Sequence, residues 1–140
     1  MQIHEPVLLK DFISLASPIT GCWVDGTFGA GGYSRALLQN GARQVLAIDK
    51  DSTTKVFLKI IQNEYGDMIK FYNQSFADME KNNDIAKRDD IEGVVLDLGN
   101  QEVLKCLVPG QPNLVDHISY DTLYKHFYKA YGNMLDQFIK

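Results

Sequence analysis

Four glycines fall within seven residues at Gly26, Gly29, Gly31 and Gly32, directly after the apolar stretch Cys22-Trp23-Val24-Asp25. Glycine lacks a Cβ, so a backbone rich in it can turn tightly and approach another group closely. The stretch before the run reads as a short buried strand, and Tyr33 to Asn40 reads as a helix stopped by Gly41. A strand, a glycine turn and a helix in that order put the turn at the carboxyl end of a strand. Open parallel sheets bind their ligands there, and the unpaired N–H groups of the following helix face the same point.

The pattern continues on either side of the turn. Pro6 to Ala16 predicts a helix with Leu8, Leu9, Phe12, Ile13 and Ala16 on one face, ended by Ser17-Pro18. Gln44 to Asp49 predicts a second strand, and Ser52 is the expected N-cap of a helix to about Tyr65, buried through Val56, Ile60 and Ile61 or their neighbours. After the Gly66-Asp67 break come a third strand, Met68 to Asn73, and a short helical turn at Phe76 to Lys81. Lys81 to Asp90 reads as a solvated loop, and Ile91 to Leu98 as a fourth strand. Near-continuous apolar strands alternating with helices predict an α/β fold, a parallel sheet covered by helices on both faces. The length of 140 residues and 45% hydrophobic content suit one globular domain. A net charge of −4 argues against a general basic coat for nucleic acid, while leaving room for a local patch. Two widely separated cysteines, Cys22 and Cys106, predict a reducing, cytoplasmic setting. No signal-peptide pattern or membrane-length apolar run is present in the sequence.

Each predicted strand ends on a residue suited to an adenosine-type ligand. The glycines do not match the dinucleotide pattern, whose third glycine would fall on Ser34, and no Gly-Lys-Ser/Thr follows as a P-loop requires. An acidic strand end at Asp25 followed by spaced glycines suits a ligand with little or positive charge near the loop, and S-adenosylmethionine fits. Asp49 can accept from both hydroxyls of an unphosphorylated ribose, Phe76 can lie beside the adenine, and Asp97 ends the fourth strand near a transferable methyl. Each residue also has a plainer reading: a tight turn, a helix cap, core packing and a surface turn. Their joint placement at successive strand ends carries the cofactor reading. No metal site is expected, since Cys22, Cys106, His117 and His126 show no ligand spacing. His4 reads more simply as structural than as a site residue.

These residues resemble the ribosomal RNA small-subunit methyltransferase H family, also called MraW. The resemblance rests on His4-Glu5-Pro6-Val7-Leu8-Leu9, on Val24 to Ala36, on Ala47-Ile48-Asp49-Lys50-Asp51 and on Gly93 to Gly99, and covers about residues 3–99. It implies a Rossmann-like class I methyltransferase fold dependent on S-adenosylmethionine, and methylation of a cytidine N4 in small-subunit ribosomal RNA. It implies cofactor contacts at Gly31, Gly32, Tyr33, Asp49, Phe76 and Asp97, with Asp97 on the reaction side, and the loop reading adds Asp25 and Gly29 to the cofactor-binding set. Tyr33 stands where the family usually has histidine, and Leu104 where it has a polar cofactor contact.

Residues 1–99 are therefore expected to form a cofactor-binding half domain, and residues 100–140 a divergent tail. The family's RNA-holding insert and remaining strands do not fit in that tail. The expectation is a truncated product, from frameshift or gene decay, with an exposed sheet edge and weak or absent turnover. Pro109 to Pro112 reads as a turn. Beyond it Tyr120, Leu123, Tyr124, Phe127, Tyr131, Met134, Leu135 and Phe138 predict an aromatic helix that covers the sheet or pairs two copies as a homodimer. The alternative functions are a non-catalytic cofactor-binding module and a dinucleotide enzyme, the latter disfavoured by Ser34.

Overall fold

The computed structural model describes residues 9–97, 104–108 and 111–116. The expected start of the first helix at Pro6, the residue His4 and the aromatic helix with its homodimer contact lie outside the described residues. The elements are α1 (Leu9–Ala16), β1 (Cys22–Asp25), α2 (Gly32–Gln39), β2 (Gln44–Ile48), α3 (Lys55–Tyr65), β3 (Ile69–Tyr72), α4 (Asn83–Ala86), β4 (Ile91–Asp97), β5 (Leu104–Val108) and β6 (Gln111–Asp116). Short 3-10 turns occupy Ser52–Thr54, Gly66–Met68 and Phe76–Lys81.

One sheet runs in the order β3-β2-β1-β4-β5-β6. β1 pairs in parallel with both β2 and β4, and β2 with β3. The chain moves outward from β1 to β3, then crosses back to place β4 on the other side of β1. Strand order therefore reverses between β1 and β4, which is where a Rossmann-like sheet opens a crevice.

Alternate strand residues supply two cores. Trp23, Val45, Ala47 and Val95 meet α1, α2 and α3 through Phe12, Leu37, Leu58 and Ile61. Val24, Leu46, Ile48, Val94 and Leu96 meet Met79 and Ile85. All four residues of β1 are buried, as a strand covered on both faces requires. Phe12 is fully buried and packs edge-on against both Trp23, at 5.8 Å between ring centres, and Tyr33, at 5.5 Å. Such ring pairs add about 0.5–1.5 kcal/mol beyond their buried area.

Several local expectations are corrected. The four expected strands do form a parallel sheet, and among the described residues β5 and β6 extend it with an antiparallel hairpin at the β4 edge, which the sequence reading did not include. Gln111 and Pro112, expected in a turn, begin β6. The cap at the start of the second crossover is Asp51 rather than Ser52: its carboxylate accepts from the Thr53 N–H at 3.0 Å and the Thr53 hydroxyl at 2.7 Å. Those two bonds hold its carboxyl below the usual carboxylate range. Ile61 is buried as expected, but Val56 is 52% exposed and the neighbouring Leu58 is buried in its place. The Lys81 to Asp90 stretch is not simply a loop, since α4 buries Ile85 and is capped by the Asn82 side chain. A four-residue segment gives too short a periodicity for that helix to be read from sequence.

At the amino edge of the sheet Asp90 accepts from Arg88 and Arg43, and the Arg88 bond leads in holding its carboxyl below the usual range. Burial pushes the Cys22 thiol up, which disfavours the reactive thiolate.

Phe12→Ala is expected to cost about 3–5 kcal/mol of unfolding free energy, because it opens a cavity under two other rings. Urea denaturation followed by circular dichroism measures this, and a loss under about 1 kcal/mol would show that α1 does not lock this core.

Candidate functional site

The tips of β1, β2 and β4 lie level with one another. Asp25 pairs with Ala47 on one side and with Val95 on the other. Asp49 and Asp97 thus each lie two positions beyond the residue opposite Asp25. Adjacent strands are roughly 4.8 Å apart, so these two backbone positions flank the end of β1. The Asp97 side chain lies outside the described ones.

The glycine loop leaves β1 and is latched at three points. The Gly26 N–H donates to the Val95 carbonyl at 3.0 Å, and the Phe28 N–H to the Ile48 carbonyl at 2.9 Å. The Gly29 N–H donates to Asp49 Oδ2 at 2.7 Å. Loop and strand ends are therefore one hydrogen-bonded unit. At 26 a Cβ would collide with the buried Leu96 side chain and come within 3.4 Å of Phe76, so any larger residue must displace Leu96. Glycine is required at 31, where φ is +84° and a Cβ would come within 2.6 Å of Ile61. At Gly29, with φ +54°, the nearest atom to a Cβ would be the Thr27 carbonyl oxygen at 3.9 Å, so the loop leaves space there.

Asp25 is fully buried. Its Oδ1 accepts from the Thr27 N–H at 3.2 Å and its Oδ2 from the Ser34 hydroxyl at 2.7 Å. These bonds tie the end of β1 to its own loop and to α2. The sequence reading singled out Ser34 only as a missing third glycine. In the structure it is a buried donor, and its position nine residues after a strand-end acid was the available signal.

Asp49 is partly exposed at the end of β2. Besides the Gly29 bond, its Oδ1 accepts from the Asp51 N–H at 2.9 Å. Its main chain is held by β3: the Asp49 N–H donates to the Tyr72 carbonyl, and its carbonyl accepts from the Gln74 N–H at 3.1 Å and Asn73 Nδ2 at 2.9 Å. Neither Asn73 nor Gln74 stood out in the sequence, because polar residues after a strand look like any loop. Phe76 is half-buried against the second core, beside Gly26 and Leu96.

The structure brings Gly29, Gly31, Gly32, Asp25, Asp49 and Phe76 into one neighbourhood, with the Asp97 backbone level with it. Tyr33 goes elsewhere. Its ring is 3% exposed and sits between α1 and α2 against Phe12. Leu104 is in β5, opposite Asp97. Among the described residues, no group of three or more His, Cys, Asp or Glu could hold a metal ion, and no helix is long and apolar enough to cross a membrane.

Comparison with known proteins matches the part of the chain that carries these residues. The model of the MraW methylase family matches residues 1–103. A Ruegeria protein named ribosomal RNA small subunit methyltransferase H is 42% identical over 96 residues, which are 69% of this chain and 28% of that protein. A protein of the same name from Wolbachia of Drosophila simulans is 42% identical over 97 residues, 69% of this chain and 33% of its own length. The matched stretch is thus under two thirds of either relative. Among solved structures, an rRNA methylase from Streptococcus thermophilus aligns with a TM-score of 0.55 at 18% identity, covering 98% of this chain and 66% of that one. A Streptococcus mutans protein in complex with SAH aligns with a TM-score of 0.57 at 16% identity, covering 97% and 68%. At those identities the likeness concerns the fold, which is the Rossmann-like one of class I methyltransferases.

Ser34→Ala removes a donor from a fully buried carboxyl group and is expected to cost about 1–3 kcal/mol. Unfolding in urea tests this. Stability equal to the parent chain would show that Asp25 does not depend on α2.

Proposed function

The chain belongs to the MraW methylase family, and on that premise we propose that it is an S-adenosylmethionine-dependent methyltransferase acting on the N4 amine of a cytidine in small-subunit ribosomal RNA, in the cytoplasm. The observation that carries the cofactor part is the Asp49 carboxylate joined to the glycine loop, which leaves β1 beside the reversal point of the sheet.

The residues present suit the cofactor. Each Asp49 oxygen receives one backbone N–H, while a carboxylate has about four acceptor directions, so capacity remains for two ribose hydroxyls. Phe76 offers an apolar ring beside the loop for the adenine. The space at Gly29 and the start of α2 at Gly32 receive the amino-acid end. Asp25 acts one step back, by holding the loop in place. Tyr33 contributes through its backbone position, since its ring is committed to the core.

Bound S-adenosylmethionine supplies a methyl group already activated by its sulfonium. The cytosine amine is a poor nucleophile because its lone pair is delocalised into the ring, so alignment is most of the catalytic task. Asp97, at the tip of β4, accepts a hydrogen bond from that amine and orients it. The second reading, a module that binds the cofactor without transfer, shares every feature of the pocket and differs only in turnover.

Calorimetric titration is expected to show binding of S-adenosylmethionine and SAH but not of NAD. Asp49→Ala is expected to weaken SAH binding about tenfold or more, equivalent to about 1.4 kcal/mol. NAD binding, or an unaffected Asp49→Ala variant, would refute the cofactor assignment. Methyl transfer to isolated small ribosomal subunits tests the rest. Asp97→Ala is expected to lower the rate about a hundredfold, and a chain that binds cofactor but transfers nothing establishes the binding-module reading.

A further inference from the structure

The segment that carries Phe76 is closed on itself by two side chains. Asn82 Nδ2 donates to Gln74 Oε1 at 2.8 Å, so the ends of the stretch 74–82 are stapled together. Gln74 Nε2 donates to the Ser75 carbonyl at 3.3 Å. Its backbone N–H donates to the Asp49 carbonyl at 3.1 Å and shares itself with the Tyr72 carbonyl at 3.1 Å. At the other end Asn82 Oδ1 accepts from the Asp84 N–H at 3.0 Å and so caps α4. The Asn82 N–H donates to the Met79 carbonyl, and Met79 is fully buried. Gln74 thereby touches both halves of the candidate site: through its backbone, the residue bearing the ribose carboxylate, and through its side chain, the loop bearing the aromatic ring.

We propose that the Asn82–Gln74 bond is a positioning device, which holds Phe76 in fixed relation to Asp49 so that the adenine wall and the ribose acceptor act as one unit. This rests on the cofactor reading above and adds what sets its selectivity for a whole nucleoside. Cutting the staple frees the Phe76 turn to shift relative to Asp49. A ligand can then satisfy the ring or the carboxylate, but not both with full strength. The cost therefore falls on the coupling between base and ribose recognition, rather than on either alone.

Two substitutions in the full chain separate this role from simple support. Serine is a good N-cap, so Asn82→Ser keeps α4 capped but is too short to reach Gln74. Gln74→Glu keeps an oxygen to accept from Asn82, gives up only the longer 3.3 Å donation to the Ser75 carbonyl, and serves as the variant that preserves the staple. SAH and its 2′-deoxyribose analogue are titrated against each, and amide exchange is followed over residues 75–81. The parent chain is expected to prefer SAH. In Asn82→Ser that preference falls about fivefold while exchange at 75–81 quickens, and Gln74→Glu retains most of the preference. A loss of melting temperature in Asn82→Ser with the preference unchanged overturns the proposal and leaves the cofactor reading standing. A parent chain that binds neither ligand overturns both.

Discussion

Burial of the Asp25 carboxyl group is the constraint on which the rest of the site depends. A polar group that loses water without gaining partners costs several kcal/mol. Asp25 at the end of β1 is fully buried, so the chain around it must supply donors. The Thr27 N–H can donate only if the backbone doubles back at once, and the Ser34 hydroxyl only if α2 begins where it does. The path of the glycine loop follows from those two bonds. Gly26 and Gly31 then permit what Asp25 demands, since side chains there would strike Leu96 and Ile61.

The loop is in turn shared among strands. Its N–H groups reach the ends of β4, β2 and the Asp49 carboxylate in succession. The strand ends are therefore coupled through the loop rather than merely adjacent. This arrangement suits a site in which several groups must face one small ligand, because displacement of one tip disturbs the others. The β3 end extends the coupling outward through Asn73 and Gln74 to the turn bearing Phe76.

Much of this was legible in the residues. Alternation of apolar strands with helices gave β1 to β4 in nearly their observed bounds, because a strand buried on both faces leaves a continuous apolar run. The glycine cluster and the acids at positions 25, 49 and 97 marked the sheet edge at which the strand ends meet the loop. The hidden parts were those that depend on partners distant in sequence. Nothing in Val56 distinguishes it from Leu58 until α3 is set against the sheet, where Val56 is exposed and Leu58 is buried. Ile85 looked like one apolar residue in a polar stretch, yet it fills the second core. β5 pairs antiparallel with β4 and β6 with β5, beyond the four strands whose parallel pairing the sequence had indicated.

The sequence by itself determined the order of the elements, the position of the glycine turn and the family to which the chain belongs, because these are local patterns of residue type and spacing. Only the tertiary structure decided how the acids divide their work. Asp25 and Asp49 are chemically identical and both end strands. One is sealed beneath α2 and holds the loop, while the other stands at the rim with acceptor capacity to spare. Tyr33 was sorted in the same way, its ring drawn into the core by Phe12. Depth of burial and the direction of hydrogen bonds are properties of packing, and spacing along a chain does not carry them.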